Sequence, residues 1–454
     1  MREAIATFWS VVRDTARLPL FNINYLTTSE ALDVYNYTNS YPRRGLLGCL
    51  AVFLWKAAKS LGKKRGSGAA TKGRIIIAVE THNQFSAVQP VHTYLGDDRA
   101  LLLNIENQPG YPFPEGWAYF ASLFFSPLVA FRAIGATPYQ RLAYKHVLHQ
   151  FMLTYGYYFV ARYWLKKWHP KLLLVANDHN MKTRALAAAA AAEGVATSYI
   201  QHASVNDRFP PLCFNSAFLD GRDALEKYAA AGPSETTVFL GGVPKFDAHL
   251  TRVRQGRTVE SLGVCIGRAD PTQVVLELVT RLRDLVGTLP ITLRPHPGDK
   301  RDWQSMLSPY RVGVSDSTKE VSFDFLAKVD AIVVADSNIA LEALLLNVSA
   351  LYFDFSGRKT DNYGFVRNGT VPYFSSIEDL IAELASLMRD RKTVRSQAAQ
   401  YIATLGTPYD GRSAELVGNE LIRQAEGQPP GPEWKRVQGS VLKAYEPAHE
   451  YTST

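Results

Sequence analysis

Short uninterrupted apolar runs alternate with longer stretches of helical periodicity over most of the chain. That is the pattern of parallel strands buried on both faces and joined by helices. The first run, Arg74-Ile-Ile-Ile-Ala-Val79, ends in Glu80, Thr81 and His82. A second, Leu172-Leu-Leu-Val-Ala176, leads into Asn177-Asp-His-Asn180 and a helix predicted from Thr183 to Glu193 around an alanine run, stopped by Gly194. The strand Ala196-Thr-Ser-Tyr-Ile200 then ends in Gln201-His202-Ala203-Ser204. Strand–helix–strand crossovers bring such loops to one rim, so Glu80, Asp178, His179 and His202 are expected to converge there.

The same alternation recurs further along without repeating the sequence. Ser261-Leu-Gly-Val-Cys-Ile266 opens it, with the loop Gly267-Arg-Ala-Asp270 and a helix for which Asp270 is the expected cap and Pro271 the first residue. Pro290-Ile-Thr-Leu-Arg294 runs into Pro295-His-Pro-Gly298, where prolines hold Arg294 and His296 in a stiff loop. Asp330-Ala-Ile-Val-Val-Ala335 precedes Asp336-Ser-Asn338 and a helix from Ile339 to Leu346, and Ala350-Leu-Tyr-Phe353 ends at Asp354. A helix start near Ser337 offers N–H groups and a positive dipole end to phosphate, Arg268 and Arg294 supply charge, and Glu342 is placed to meet a sugar hydroxyl. Ser375 with Glu378 reads as a plain capping box.

Two stretches depart from this alternation. Gly45-Leu-Leu-Gly-Cys-Leu-Ala-Val-Phe-Leu-Trp55 is flanked by Arg43 and Arg44 on one side and by Lys56, Lys59, Lys63, Lys64 and Arg65 on the other. About eleven apolar residues fall short of the ~20 needed to span a bilayer. Their lysine and Trp edges suit an in-plane helix on an anionic membrane surface, with residues 41–65 as the contact. Trp117 to Phe131 is a longer apolar stretch, but Pro127 and Arg132 favour a helical insertion over a spanning segment.

The chain of 454 residues has room for two domains, and its formal charge of +8 favours anionic partners. The basic residues cluster beside apolar ones and not along an aromatic stripe, which argues against nucleic acid. Cys49, Cys213 and Cys265 are too scattered for a disulfide framework or a zinc site, which suits a reducing cytoplasm. The sequence at Met1 has an acid at position 3 and no apolar run of the secretory kind. Expected boundaries are a helical membrane-proximal segment over 1–72, a first Rossmann-like domain over 73–257 with a helical insertion at 112–168, a second over 258–424, and a tail over 425–454. The break Glu426-Gly-Gln-Pro-Pro-Gly-Pro432 ends the second domain, and residues after it either pack across the first domain or stay mobile.

Asn177-Asp-His, Ile200-Gln-His202, Gly242-Val-Pro-Lys-Phe-Asp247, Arg294-Pro-His-Pro297 and Asp336-Ser337 with Glu342 together resemble a known group. It is that of the GT-B glycosyltransferases of bacterial surface polysaccharides, with the related CDP-glycerol glycerophosphotransferases. The group's usual Gln-His-Gly stands here as Gln201-His202-Ala203. The resemblance implies an α/β fold with two Rossmann-like domains facing a central cleft, and a nucleotide-sugar donor, CMP- or CDP-linked. The acceptor it implies is a growing polysaccharide or lipid-linked glycan, at the inner face of the bacterial cytoplasmic membrane. It places the nucleotide on Gly267, Arg268, Arg294, His296, Asp336, Ser337, Asn338 and Glu342, with no metal and no cofactor. The acceptor's base is sought among Asp178, His202 and Glu80, in that order. Competing readings are a sugar-nucleotide 2-epimerase, a polyol-phosphate transferase using a CDP donor, and an inactive module that binds polysaccharide or nucleic acid.

Overall fold

In a computed structural model, residues 2–25, 45–61, 72–105, 108–206 and 209–448 are described. Arg43, Arg44, Lys63, Lys64 and Arg65 lie outside them. The first domain contributes β1 (Ile75–Val79), β2 (Ala100–Asn104), β3 (Tyr111–Pro112), β4 (Leu172–Val175), β5 (Ala196–Ile200), β6 (Ser216–Leu219) and β7 (Thr237–Leu240). The second contributes β8 (Leu262–Ile266), β9 (Ile291–Pro295), β10 (Gly313–Val314), β11 (Ala331–Val334), β12 (Ser349–Phe353) and β13 (Tyr373–Phe374). All pairs among them are parallel, and β1, β4, β6, β8, β11 and β12 are buried along their whole length. Apolar residues at successive positions are what burial on both faces demands.

Strand order fixes where a ligand can sit. With β14 (Trp434–Arg436) and β15 (Ala444–Pro447), the first sheet runs β14-β15-β7-β6-β5-β4-β1-β2-β3, and the second runs β10-β9-β8-β11-β12-β13. Order reverses beside β1 in one and beside β8 in the other, and crevices open at the carboxyl ends of strands at such reversals. The loops after β1 and β4 carry Glu80 and Asn177–Asn180, and those after β8 and β11 carry Gly267–Asp270 and Asp336–Asn338.

The last elements return to the first domain, which corrects the boundary at 424. The helix Ser413–Ala425 puts Leu416, Val417 and Leu421 into the core formed by Ile75, Ile77 and Val79. Asp247 holds its start, accepting hydrogen bonds from the Ser413 (3.0 Å) and Ala414 (2.8 Å) amides. β14 (Trp434–Arg436) and β15 (Ala444–Pro447) then extend the first sheet, β15 pairing parallel with β7. Two caps also differ from expectation. Asp270 turns back to accept the Gly267 amide (2.7 Å), leaving Pro271 at the head of the helix Thr272–Val286. The cap of Ile377–Arg389 is Ser376, one residue later than Ser375.

The insertion consists of the helices Glu115–Ile134 and Pro138–Trp168. The long second helix packs on the alanine-rich helix Met181–Ala192, whose Ala185, Ala189 and Ala190 are fully buried. Small side chains allow that approach. The two insertion helices meet at Gly156, where a β-carbon would lie 2.0 Å from the Ala118 carbonyl oxygen and 2.2 Å from Ser122 Oγ. No rotamer relieves a backbone clash, so Gly156→Ala should lower the thermal midpoint by roughly 3 °C or more. Gly256→Ala, with nothing nearer than 3.8 Å, should leave it unchanged. Equal midpoints for the two variants in a melting experiment would refute the close crossing.

Candidate functional site

Turn geometry sets the first wall. Asn177 Oδ1 accepts the amides of His179 (3.0 Å) and Asn180 (2.6 Å), tying the chain back after β4. Asp178 is thereby driven inward, 1% exposed, which corrects its expected role as a base open to substrate. Its Oδ2 accepts from the Tyr228 hydroxyl (2.7 Å), and its Oδ1 pairs with His179 Nδ1 (2.8 Å). Burial raises the Asp178 pKa, but the hydrogen bond and charge of His179 with the Tyr228 hydroxyl outweigh it, and the net shift is downward. A carboxylate at Nδ1 and the Asn177 amide 3.2 Å from Nε2 set the neutral tautomer: Nδ1 carries the proton and Nε2 its lone pair. The Nε2 lone pair accepts from the Asn177 amide, so His179, oriented by Asp178, has the arrangement of a general base once a substrate hydroxyl replaces that amide.

The other two candidates have different surroundings. Glu80 follows β1 and lies 3.4 Å from Lys182 Nζ, which also reaches Glu115 at 3.2 Å. This buried carboxylate–ammonium–carboxylate group ties the insertion to the sheet, so Glu80 acts first as a counter-ion. His202 is held neutral: burial, then the neighbouring His179, lowers its pKa to about 4. Its carbonyl accepts a hydrogen bond from Lys245 Nζ (3.1 Å).

These loops line a cavity of about 460 Å³ between the strand ends and the helical segments. Amides of Asn24, Asn83, Gln150 and Asn177, the charges of Glu80 and Lys182, and the rings of Phe53 and Tyr119 form its wall. Amides and charges for hydroxyls, with rings for C–H faces, are a carbohydrate-compatible lining.

A larger cleft of about 1400 Å³ separates the two domains, and Asn83 belongs to both spaces. On its second-domain wall, His296 Nδ1 accepts the Gly298 amide (2.9 Å), so the neutral ring carries its proton on Nε2 as a donor. Arg268, Asp336, Ser337, Asn338 and Glu342 line the same cleft. Gly267 and Asp270 are braced by Arg301, whose guanidinium donates to both carbonyls (2.9 and 2.5 Å). Arg294 also lines the cleft, but its donors are engaged by Ser315 Oγ and the Glu320 carbonyl (2.7 Å each), so it builds the wall rather than presenting a free charge. Asn338 Oδ1 accepts from Ser204 Oγ of the facing domain (2.7 Å), a bond between the walls. Asp336 Oδ2 accepts the Asn362 amide and side chain (2.8 and 2.6 Å). The following helix is only Ile339–Leu345, and the Ala340 and Leu341 amides already bond to Ser337 and Asn338. Glu342 is largely enclosed, and burial raises its pKa despite Ser322, Lys245 and Arg294 nearby. Protonated, it donates a hydrogen bond to a sugar oxygen; ionised, it accepts one.

Sequence reasoning missed Lys245, Arg301, Lys182 and Asn83 as site residues. Lys245 sat within a quoted motif, and its place one residue after Pro244 in a loop following β7 was the available signal. Arg301 and Lys182 act by reaching across to other loops, which local pattern does not reveal.

No protein-family model matches the chain, and no curated protein matches its sequence. Solved structures do match in shape. The UDP-GlcNAc 2-epimerase from Neisseria meningitidis, bound to UDP-GlcNAc, is 14% identical, with 77% of this chain and 100% of that one covered at a TM-score of 0.52. The UDP-GlcNAc 2-epimerase from Methanocaldococcus jannaschii is 13% identical, covering 77% and 99% at 0.50. The wall teichoic acid polymerase TagF is 11% identical, covering 88% and 99% at 0.46. What the chain shares with the two epimerases is architecture alone: two Rossmann-like domains across a cleft, the GT-B fold.

Proposed function

We propose that the protein is a glycosyltransferase that moves a sugar from a nucleotide-linked donor to a hydroxyl of a second glycan. One observation carries this reading: a second polar cavity, lined by His179 with Asp178 buried behind it, shares the wall residue Asn83 with the interdomain cleft. A 2-epimerase needs one cleft for one substrate, and this cavity would have no role in it. A transferase needs two compartments that meet.

The donor occupies the cleft, its phosphates against His296, Arg268 and the Ser337–Asn338 turn, by the resemblance a CMP- or CDP-linked species. The acceptor occupies the smaller cavity. The acceptor hydroxyl replaces the Asn177 amide at His179 Nε2, which takes its proton as the hydroxyl oxygen bonds to the anomeric carbon and the bond to the phosphate oxygen breaks. Asp178 stabilises the imidazolium that forms, and His296 Nε2–H with Arg268 receives the charge of the departing nucleotide.

His179→Ala should lower kcat roughly 100-fold or more. Asp178→Asn should lower kcat with little change in acceptor KM, because it disturbs the tautomer and not the binding surface. Unchanged kcat in both variants, assayed with a panel of nucleotide sugars and glycan acceptors, would remove the dyad from the mechanism. Epimer formation without an acceptor would convert the assignment to an epimerase.

His296→Ala should lower kcat about 100-fold. Wild-type turnover by that variant would mean that the second-domain wall does not hold the leaving group.

The site also predicts a pH response of stability. His202 titrates at about 4 when folded and at about 6.5 unfolded. Between those values the unfolded chain binds the extra proton, so the contribution of neutral His202 is full above about 6.5 and is lost as pH falls toward about 4. His202→Gln should flatten that limb of a plot of thermal midpoint against pH. A limb parallel to wild type would contradict the assignment.

A further inference from the structure

The helix Glu115–Ile134 is apolar on both faces. Ala118, Ser122, Phe125 and Val129 are buried against the domain, while Trp117, Phe120, Phe124, Pro127, Phe131 and Ile134 form a second stripe, three or four residues apart, that is exposed. A helix at a water interface carries polar residues on its outer face, and one that is apolar all round is covered by something. Its ends are held to the protein: Glu115 pairs with Lys182, and the Ala16 carbonyl accepts from Arg132 Nη2 (3.1 Å). One face packs on Pro138–Trp168, Ala118 and Ser122 against Gly156 and Phe125 against Tyr155 and Phe159, so the helix lies against the domain.

Two neighbouring helices continue the surface. Gly45–Leu61 abuts the start of Glu115–Ile134, its Ser60 against Gly116, and exposes Leu46, Leu47, Leu54 and Trp55. Arg2–Arg17, joined at the other end through Ala16, exposes Ile5, Phe8 and Trp9. On each of these two helices an exposed Trp is followed one turn later by an exposed base: Trp9 by Arg13, and Trp55 by Lys59, whose Nζ lies 5.4 Å from the Trp55 ring. Gly45–Leu61 and Pro138–Trp168 contain no acidic residue. Apolar stripes edged by Trp and cations match an anionic bilayer, whose interface takes the rings and whose headgroups take the charges.

The same helices form the wall of the smaller cavity. Phe53 and Lys56 face into it beside the outward Leu54 and Trp55, and Tyr119 does so beside the outward Phe120. The cavity thus lies about one helix diameter, ~10 Å, beneath the apolar surface.

We propose that this surface seats the protein on an anionic lipid bilayer, and that the cavity takes the sugar headgroup of an amphiphile anchored in it. The acceptor class is then a lipid-linked glycan, with Lys56 at the wall nearest the lipid to meet an anionic linkage. The acceptor part rests on the transferase reading; the docking surface does not.

The test is vesicle sedimentation with the full chain. Wild type should pellet with phosphatidylglycerol–phosphatidylcholine vesicles and bind pure phosphatidylcholine more weakly. Phe120→Glu with Phe124→Glu should weaken binding more than roughly tenfold, and Arg13→Gln with Lys59→Gln roughly 30-fold. All these positions are exposed, so circular dichroism and melting should match wild type. The Phe variant should lose turnover on a vesicle-embedded glycolipid and keep it on a soluble short-chain acceptor. Wild type remaining in the supernatant with both vesicles, or the variants pelleting as wild type does, would overturn the docking surface. So would a concentration-dependent dimer of wild type that the Phe variant abolishes, because a second copy would then be the cover. Equal loss on soluble and embedded acceptors would overturn the lipid-linked acceptor. Intact vesicle binding without turnover on any acceptor would strike the transferase reading and support the surface.

Discussion

A carboxylate withdrawn from water must find hydrogen bonds for its oxygens, and the first wall of the site is organised around satisfying Asp178. Tyr228 takes one oxygen and His179 the other, and the Tyr199 hydroxyl lies 3.3 Å from that of Tyr228. Rotation of the imidazole is restricted by this buried partner at one nitrogen, by Asn177 at the other and by Phe209, 4.9 Å away between ring centres. The charged anchor lies inside, and the group able to exchange a proton lies at the cavity wall.

The second constraint is topological. Parallel strands deliver every β-to-α turn to the same edge, and the reversals of order beside β1 and β8 open two crevices that face each other. Phe246 and His249 pack on Phe323 of the second domain, and polar contacts between the domains include Ser204 with Asn338, Lys227 with the Tyr363 carbonyl and Asn368 with Asp223. The polar contacts among these can exchange with a ligand's hydroxyls and phosphates.

Most of the fold was legible because doubly buried strands leave uninterrupted apolar runs, and the strand ends carried the expected polar residues. What escaped depended on contacts distant in sequence. Amphipathicity marks Ser413–Ala425 as a helix, but nothing local says that its apolar face belongs on Ile75 and Ile77, more than three hundred residues earlier. Trp434–Arg436 at the sheet edge and Ala444–Pro447 beside it are short and half polar, so they carry little signal. Within the site, Asp178 and His179 are adjacent. Which one faces the cavity is decided by the turn that Asn177 ties, so the residue types were readable and their roles were not.

The return of β15 to the flank of β7 has a consequence for biogenesis. Residues 444–447 follow Thr237–Leu240 by about two hundred positions, and a translating ribosome adds roughly 5–20 residues each second. The border of β7 therefore waits some ten to forty seconds for its partner, its backbone donors and acceptors open to any other strand. A nascent chain in that interval has reason to engage a chaperone, and the domain that starts first is completed last.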